Sequence, residues 1–159
     1  MADYITYFNG EWVPYSQVAI DPNDRGFIGG DVVFDVKRNE HLRIPGGDLN
    51  VGQYVSRGAG ADALDQVPLT VCVRTWHVMP DQWAKGYLEG IHGVIVKTRS
   101  YSPEAMESKV KHNNRLNFAL AHLEAADVDP EGLPILTDGR GFITENIQAN
   151  VWVVQDGVL

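Results

Sequence analysis

Three features of the sequence predict an α+β fold in which strands outnumber helices. The Asn9-Gly10 pair divides the segment Ile5–Val13 into two short apolar stretches, the pattern of a β-hairpin with a tight turn. Alternating apolar segments recur along the chain and indicate further strands. Apolar residues at helical spacing occur most clearly in Arg115–Ala126.

Runs rich in β-branched residues and bounded by turn formers predict the remaining strands. In chain order they are Val18–Ile20, Asp31–Lys37, Val51–Arg57, Leu69–Trp76, His92–Thr98, Leu133–Thr137, Gly141–Thr144 and Asn150–Val154. The other expected segments are an ordered loop at Asp21–Gly30, one helical turn at Arg38–Arg43 and a short helix at Pro80–Tyr87. The helix over Arg115–Ala126 aligns four apolar residues on one face, namely Leu116, Ala119, Leu120 and Leu123.

Charge and cysteine content narrow the classes of function. Thirteen basic against 21 acidic side chains give a formal net charge of −8, which disfavours binding to nucleic acid or to an anionic membrane. Cys72 is the single cysteine, so an intrachain disulfide and a cysteine-rich zinc site are excluded, and its strand context indicates a packed thiol. No apolar run approaches 18 residues and no signal-peptide pattern begins the chain. We therefore expect a cytoplasmic protein without a resident metal ion.

Lys111 is the first candidate for chemistry. It lies in the segment Lys109–Asn117, just before the predicted helix, with apolar residues upstream. A lysine that is partly shielded from water loses its proton more easily and can form a Schiff base with a carbonyl group. The alternative from these residues alone is an ordinary solvated lysine at the start of a helix.

Glu145 is the second candidate. It lies between a predicted strand and a turn in the segment Gly141–Trp152, with Asn150 opening the next predicted strand. A carboxylate at a strand end can be held rigidly against a cationic ring nitrogen. The alternative from this segment alone is a turn carboxylate without a ligand.

Together these segments resemble the fold-type IV pyridoxal-phosphate enzymes. That family includes branched-chain and D-amino acid aminotransferases, R-selective amine transaminases and aminodeoxychorismate lyase. Besides the lysine and glutamate segments, four stretches carry the resemblance, and they are Tyr7–Val13, Asp24–Asp35 (similar to "DRGF..GD.VFE"), Val55–Gly58 (similar to "VTRG") and Val151–Leu159 (similar to "NVF.V.DGVL"). The matches are collinear from residue 5 to the last residue.

The resemblance implies a role for each matching residue. Lys111 would bind pyridoxal 5'-phosphate as a Schiff base and then move a proton as general acid and base. Glu145 would pair with the pyridine nitrogen and keep it protonated, and Asn150 would also contact the cofactor. Phe34 and Arg57 would line the substrate site. The implied activity is an aminotransferase that moves an amino group from an amino acid or amine to a 2-oxo acid, in a homodimer or higher homo-oligomer.

Four departures from the family pattern leave the substrate class open. Asn146 replaces the glycine that usually follows the glutamate, and Leu116 replaces the tyrosine of branched-chain enzymes. The arginine-x-histidine pattern of D-amino acid aminotransferases is not visible in Gly58–Leu64. An "EHLDRL" helix, whose arginine grips the cofactor phosphate, is missing after Lys37, and the chain stops at Leu159, where relatives continue their second domain.

We therefore expect an incomplete arrangement of two domains, with a small N-terminal α/β domain at 1–99 and the first part of a larger cofactor-binding domain at 100–159. Two alternatives to the aminotransferase stay open. The first is an aminodeoxychorismate lyase, favoured by the pattern Lys111-His-x-Asn-Arg-Leu116. The second is a truncated, cofactor-free binding or structural module, favoured by the missing phosphate-binding segments.

Overall fold

A computed structural model describes residues 4–39, 48–60, 67–79, 81–107 and 109–159. Within those residues the strands and α-helices are β1 (Ile5–Phe8), β2 (Glu11–Pro14), α1 (Arg25–Gly29), β3 (Val32–Asn39), β4 (Leu49–Ser56), β5 (Thr70–His77), α2 (Asp81–Glu89), β6 (Gly93–Arg99), α3 (Leu116–Val128), β7 (Leu133–Thr137) and β8 (Ile143–Asn146). The mixture of strands and helices confirms the predicted α+β class. None of the helices in these residues has the length and hydrophobicity that a bilayer crossing requires.

The contacts divide the chain into two compact units. Residues 1–80 and 110–114 form the first unit, and residues 81–109 and 115–159 form the second. The division after residue 80 differs from the predicted boundary after residue 99. The reason is that β6 pairs with β7 and so belongs to the second unit.

An antiparallel sheet of five strands in the order β2-β1-β5-β4-β3 forms the first unit. β3 and β4 pair along their whole length, from Val32 opposite Ser56 to Asn39 opposite Leu49. β4 pairs equally fully with β5. Because side chains alternate between the two faces of a strand, this register decides which residues share a face.

The predicted hairpin between β1 and β2 is confirmed. Asn9 and Gly10 both have positive φ, 49° and 102°, as a two-residue turn of this hand requires. Asn9 Oδ1 also accepts a hydrogen bond of 2.7 Å from the amide of Val71. The turn is therefore tied to β5 as well as closing its own hairpin.

The second unit has a sheet in the order β6-β7-β8. β6 and β7 run parallel and are connected through α3, since parallel neighbours need a crossover. The buried core consists of Val96, Phe118, Ala121, Ala125 and Leu136. The helix is therefore confirmed, but its buried residues belong to a different stripe from the predicted apolar face.

The predicted face of α3 points away from this core. Leu116 is 67%, Leu120 48% and Leu123 63% exposed, whereas Ala121 and Ala125 are fully buried. Phe118 and two alanines form the packed stripe, and the alanines allow the helix to approach the sheet closely. Helical spacing alone could not distinguish the two stripes.

Four further predictions about segments need correction. Val18–Ile20 and Asn150–Val154 are not strands, because neither pairs with a neighbouring strand among the described residues. The expected loop at Asp21–Gly30 contains α1. The start of the expected helical turn at Arg38–Arg43 belongs to β3, which pairs through Asn39, and residues 40–43 lie outside the described part of the chain.

Candidate functional site

The segment around Lys111 is held along the edge of β3. The amide of Phe34 donates to the carbonyl of Lys111 at 2.9 Å, and the amide of Asn113 donates to the carbonyl of Val32 at 2.8 Å. His112 forms an isolated antiparallel bridge with Val33. The backbone from Lys111 to Asn113 is thus fixed against the sheet, although these residues precede α3 in sequence.

The amine of Lys111 lies over an aromatic ring. Its Nζ is 4.7 Å from the centre of the Phe34 ring, which in turn stacks on Tyr54 with a centroid separation of 5.9 Å and an interplanar angle of 8°. Among the described residues no carboxylate lies within 4.0 Å of this amine. Lys111 itself is exposed, so the expected shielding from water is not present among the described residues. Its amine is positioned by the aromatic ring and has no ion pair within this part of the chain.

Asp24 organises the turn that precedes β3. Its side chain caps α1 by accepting from the amide of Gly26 at 2.7 Å, and it also accepts from the hydroxyls of Ser56, at 2.8 Å, and Thr70. Burial raises the pKa of this carboxyl, but these hydrogen bonds outweigh it and lower the pKa below the ordinary value. Asp24 therefore joins α1, β4 and β5 as a buried carboxylate.

Arg57 lies just after β4 and forms an ion pair. Its guanidinium is 3.5 Å from Asp31 Oδ2, which also lies 3.4 Å from Arg25 Nε. Asp31 thereby bridges two arginines next to β3. The substrate-binding role of Arg57 stays a prediction, and the observed contact accounts for its position by itself.

Sequence reasoning missed Arg74. Its guanidinium carbon lies 5.4 Å from the Tyr54 ring and 5.0 Å from the Trp76 ring, and its nitrogens donate to the hydroxyls of Tyr15 and Tyr54 at 3.4 Å each. Burial lowers the pKa of Arg74, but its interactions with the two tyrosines outweigh that effect and raise it. The alternation of Leu69–Trp76 could have placed it beside Trp76.

Glu145 is half-buried in β8, opposite Leu136. The Ser100 hydroxyl donates to Glu145 Oε1 at 3.5 Å and also contacts the hydroxyl of Thr144. The Thr144 hydroxyl donates to the carbonyl of Leu136 at 3.1 Å. The carboxylate thus lies among hydroxyl groups, and its Oε2 has no hydrogen-bond partner among the described residues.

Arg115 supports the backbone that follows Glu145. Its guanidinium donates to the carbonyl of Ile147 and lies 3.7 Å from the Phe118 ring. Burial lowers the pKa of Arg115, and the negative charge of Glu145 and the interaction with Tyr101 oppose that shift. The sequence motif contained Arg115, but gave no sign of this contact.

Asn146 replaces the family's glycine without a positive φ, because it is paired with Ile135 inside β8. Its side-chain amide donates to the carbonyl of Pro134 at 2.8 Å, and its Oδ1 accepts from the amide of Gln148 at 3.0 Å. The buried Asn146 side chain therefore holds the turn after Glu145. Asn150, the other predicted cofactor contact in this segment, is exposed and lies outside any strand.

The described residues contain no group of three or more His, Cys, Asp or Glu side chains that could hold a metal ion. The structure brings together Phe34 and Lys111 in the first unit, and it places Glu145 beside Ser100 and Arg115 in the second. The available chemistry is an amine, a half-buried carboxylate and several positioned hydroxyl groups.

Comparison with known proteins gives consistent results. The sequence profile described as amino-transferase class IV matches residues 39–159. A protein from Methanocaldococcus jannaschii, provisionally named a branched-chain-amino-acid aminotransferase, is 31% identical over 135 residues. That match covers 81% of this chain and 43% of the relative, so the chain spans less than half of the length of this curated relative.

Two solved structures share the fold. The branched-chain aminotransferase from Thermoproteus uzoniensis, solved with norvaline, superposes with a TM-score of 0.75 at 15% identity, covering 92% of this chain and 63% of that chain. An aminotransferase from Brucella abortus bound to the co-factor PLP gives 0.74 at 17% identity, covering 98% and 69%. These similarities confirm the predicted fold type, and the profile match over most of the sequence shows that the chain belongs to the amino-transferase class IV family.

Proposed function

We propose that this chain is part of a pyridoxal-phosphate-dependent aminotransferase, which moves an amino group from an amino acid or amine to a 2-oxo acid. The observation that carries the proposal is the amine of Lys111, which lies 4.7 Å from the Phe34 ring and has no ion pair among the described residues. The backbone from Lys111 to Asn113 is hydrogen-bonded to β3 and holds the residue there. Membership of the family supports it, as does the PLP named in the Brucella abortus structure.

The residues present fit this cofactor in two respects. An amine without a carboxylate partner is available for covalent attachment to an aldehyde, and Lys111 has that property among the described residues. Glu145 offers one carboxylate oxygen that has no hydrogen-bond partner in the described part of the chain, which suits it to a protonated ring nitrogen. Asn150 is proposed as a further contact and has no described hydrogen bond to break.

Each residue then has a defined task. When bound, pyridoxal phosphate supplies the electron sink that makes removal of the substrate proton possible. Lys111 binds the cofactor covalently and, once released by the amino donor, moves the proton as general base and then as general acid. Glu145 keeps a proton at the ring nitrogen. Phe34 places its ring 4.7 Å from the amine of the exposed Lys111 and so restricts where that amine can lie, and Arg57 is proposed as a substrate contact.

The remaining proposals concern the assembled protein. We propose a cytoplasmic homodimer or higher homo-oligomer, in which the first unit is the small N-terminal domain and the second unit is the first part of the cofactor-binding domain. Exposed apolar side chains such as Trp152 and Phe142, 72% and 64% exposed, are consistent with surfaces covered in a larger assembly. Light scattering of the complete protein measures the mass of the assembly directly.

Trapping the cofactor on the protein tests the central proposal. The complete protein is incubated with pyridoxal phosphate, reduced with borohydride and digested, and mass spectrometry locates the modified lysine. We expect modification at Lys111, loss of the absorbance band of the lysine-bound cofactor in Lys111→Ala, and a normal band in the control Lys109→Ala, which removes an exposed lysine two residues away. Modification elsewhere, or an unchanged band in Lys111→Ala, would contradict the assignment.

The products distinguish the two enzymatic alternatives. Amino transfer to a 2-oxo acid, measured by the new amino acid formed, supports the aminotransferase. Release of pyruvate from aminodeoxychorismate supports the lyase instead. If the complete protein neither binds pyridoxal phosphate nor catalyses either reaction, the cofactor-free module is the correct interpretation.

A further inference from the structure

Arg74 lies on the same face of the first unit's sheet as Phe34. Phe34 lies opposite Tyr54 in the register of β3 and β4, and Tyr54 lies opposite Cys72 in β5. Arg74 follows Cys72 by two residues and therefore shares this face. The ring contacts agree, because Phe34 stacks on Tyr54 and the Arg74 guanidinium lies 5.4 Å from the same Tyr54 ring.

Gly52 makes room for this arrangement. It is the cross-strand partner of Arg74, and a Cβ atom added to it would lie 2.7 Å from Trp76 Cζ3 and 3.0 Å from Tyr54 Cε2. Glycine inside a strand costs conformational entropy, and here its missing side chain lets the two rings converge over the strand. The guanidinium lies 5.0 Å from the Trp76 ring and 5.4 Å from the Tyr54 ring.

Arg74 is positioned but not neutralised. No carboxylate lies within 4.0 Å of its guanidinium among the described residues. Its two hydrogen bonds go to phenol hydroxyls and are both 3.4 Å long, whereas a guanidinium carries five N–H donors in a planar fork. A half-buried arginine with unused donors in fixed geometry is suited to a carboxylate.

We propose that Arg74 binds a carboxylate of the substrate and so selects acids over simple amines. This inference rests on the proposed function, because the substrate is the amino donor or the 2-oxo acid of that reaction. The stacked rings of Phe34 and Tyr54 form a continuous surface from the amine of Lys111 to the guanidinium of Arg74. The carboxylate is either the one on the reacting carbon or a second one further along the substrate.

Steady-state kinetics with three kinds of amino donor test this role. The complete protein and its Arg74→Gln variant are compared with three amino donors: alanine, glutamate and 1-phenylethylamine, which has no carboxylate. Alanine and glutamate are each tested as both enantiomers. We expect kcat/KM to fall roughly 10- to 100-fold for a donor that uses the contact, through KM, and to stay unchanged for 1-phenylethylamine. Loss on both acids indicates the carboxylate at the reacting carbon, and loss on glutamate alone indicates the second carboxylate. Arg74→Lys should recover part of the loss.

Arg140→Gln is the matched control. Arg140 also lies 5.0 Å from an aromatic ring, that of Phe142, but it is exposed and paired with Asp138 at 2.9 Å. Its replacement should change neither specificity nor cofactor content. An equal loss of kcat/KM on all donors in Arg74→Gln, or no loss on any acid, would overturn the proposal. A loss of bound cofactor would also overturn it, because it would indicate that Arg74 contacts the cofactor phosphate instead.

Calorimetry separates failure of this inference from failure of the proposed function. Isobutyrate and its neutral analogue isobutyramide are titrated into the wild-type protein and Arg74→Gln. Binding of isobutyrate but not isobutyramide, abolished in Arg74→Gln, supports a carboxylate site even if no amino transfer is observed with any donor. If the wild-type protein binds neither compound, or if the variant binds isobutyrate equally well, Arg74 is not such a site, whatever the activity.

Discussion

The hydroxyl of Ser56, at the end of β4, donates a hydrogen bond of 2.8 Å to the buried carboxylate of Asp24, the residue that caps α1. The Thr70 hydroxyl, at the start of β5, donates to the same carboxylate oxygen. One side chain therefore holds two strands and a helix, and it does so immediately before the strand that carries Phe34. The Asp24 carboxylate therefore links these elements, and its protonation should make the stability of the fold depend on pH.

Asp24→Asn should destabilise the protein by about 2–4 kcal/mol at neutral pH, because the amide cannot accept hydrogen bonds at both of its atoms and leaves buried hydroxyls unpaired. The pKa of Asp24 is lowered below its ordinary value of 3.8 in the folded protein. The stabilisation is therefore complete above that value and is lost as the pH falls through the folded pKa. Urea unfolding at several pH values should show the difference from wild type shrinking in acid.

Asp21→Asn is the control for that measurement. Asp21 is exposed and accepts from the amide of Asn23 at 2.8 Å, a local turn contact that an asparagine side chain can also make. We expect a change within about 0.5 kcal/mol. A loss as large as that of Asp24→Asn would show that the buried network is not the cause.

Gly26→Ala should destabilise the first unit by about 1–3 kcal/mol through overpacking. A Cβ atom at this position would lie 2.3 Å from Val32 Cγ2 and 2.7 Å from Ser56 Cβ, so α1 would have to move away from β3. Thermal unfolding measures the effect. Gly139→Ala, where an added Cβ meets nothing within 4 Å, should leave the melting temperature nearly unchanged, and equal losses would exclude the steric explanation.

Asn146→Gly restores the residue common in the family but should destabilise this protein by about 1–3 kcal/mol. The substitution removes the hydrogen bonds to Pro134 and Gln148 and adds backbone freedom inside β8. Asn150→Gly, at an exposed position outside the strands, is the control for denaturant unfolding. A neutral or stabilising effect of Asn146→Gly would mean that the side chain does not hold the turn.

Arg115→Gln should loosen the backbone after Glu145, because it removes the contact with the Ile147 carbonyl and the stacking on Phe118. Hydrogen exchange of the amides from 145 to 148 should become faster. If Glu145 binds the cofactor as proposed, the affinity for pyridoxal phosphate should fall as well. Arg140→Gln serves as a control with an exposed arginine, and unchanged exchange in Arg115→Gln would remove the positioning role.

Local patterns predicted the hairpin at Asn9 and Gly10 and the helix before Asp129, because turn residues and helical spacing act over a few neighbours. They failed for the segments 18–20 and 150–154, since a strand also requires a partner that alternation cannot reveal. They also selected the exposed stripe of α3. Leucines are common core residues, but the buried residues of α3 are Phe118, Ala121 and Ala125, and the two alanines permit close approach.

For the candidate site too, some features follow from the sequence and others only from the tertiary structure. The sequence by itself determined the family, the candidate pair Lys111 and Glu145 and the absence of a second cysteine, because these depend on residue identity and order. Only the tertiary structure decided that the Lys111 segment lies along β3 and that Arg74 lies between two aromatic rings. Those contacts join residues far apart in the chain, and strand register, which no local pattern encodes, decides which side chains meet.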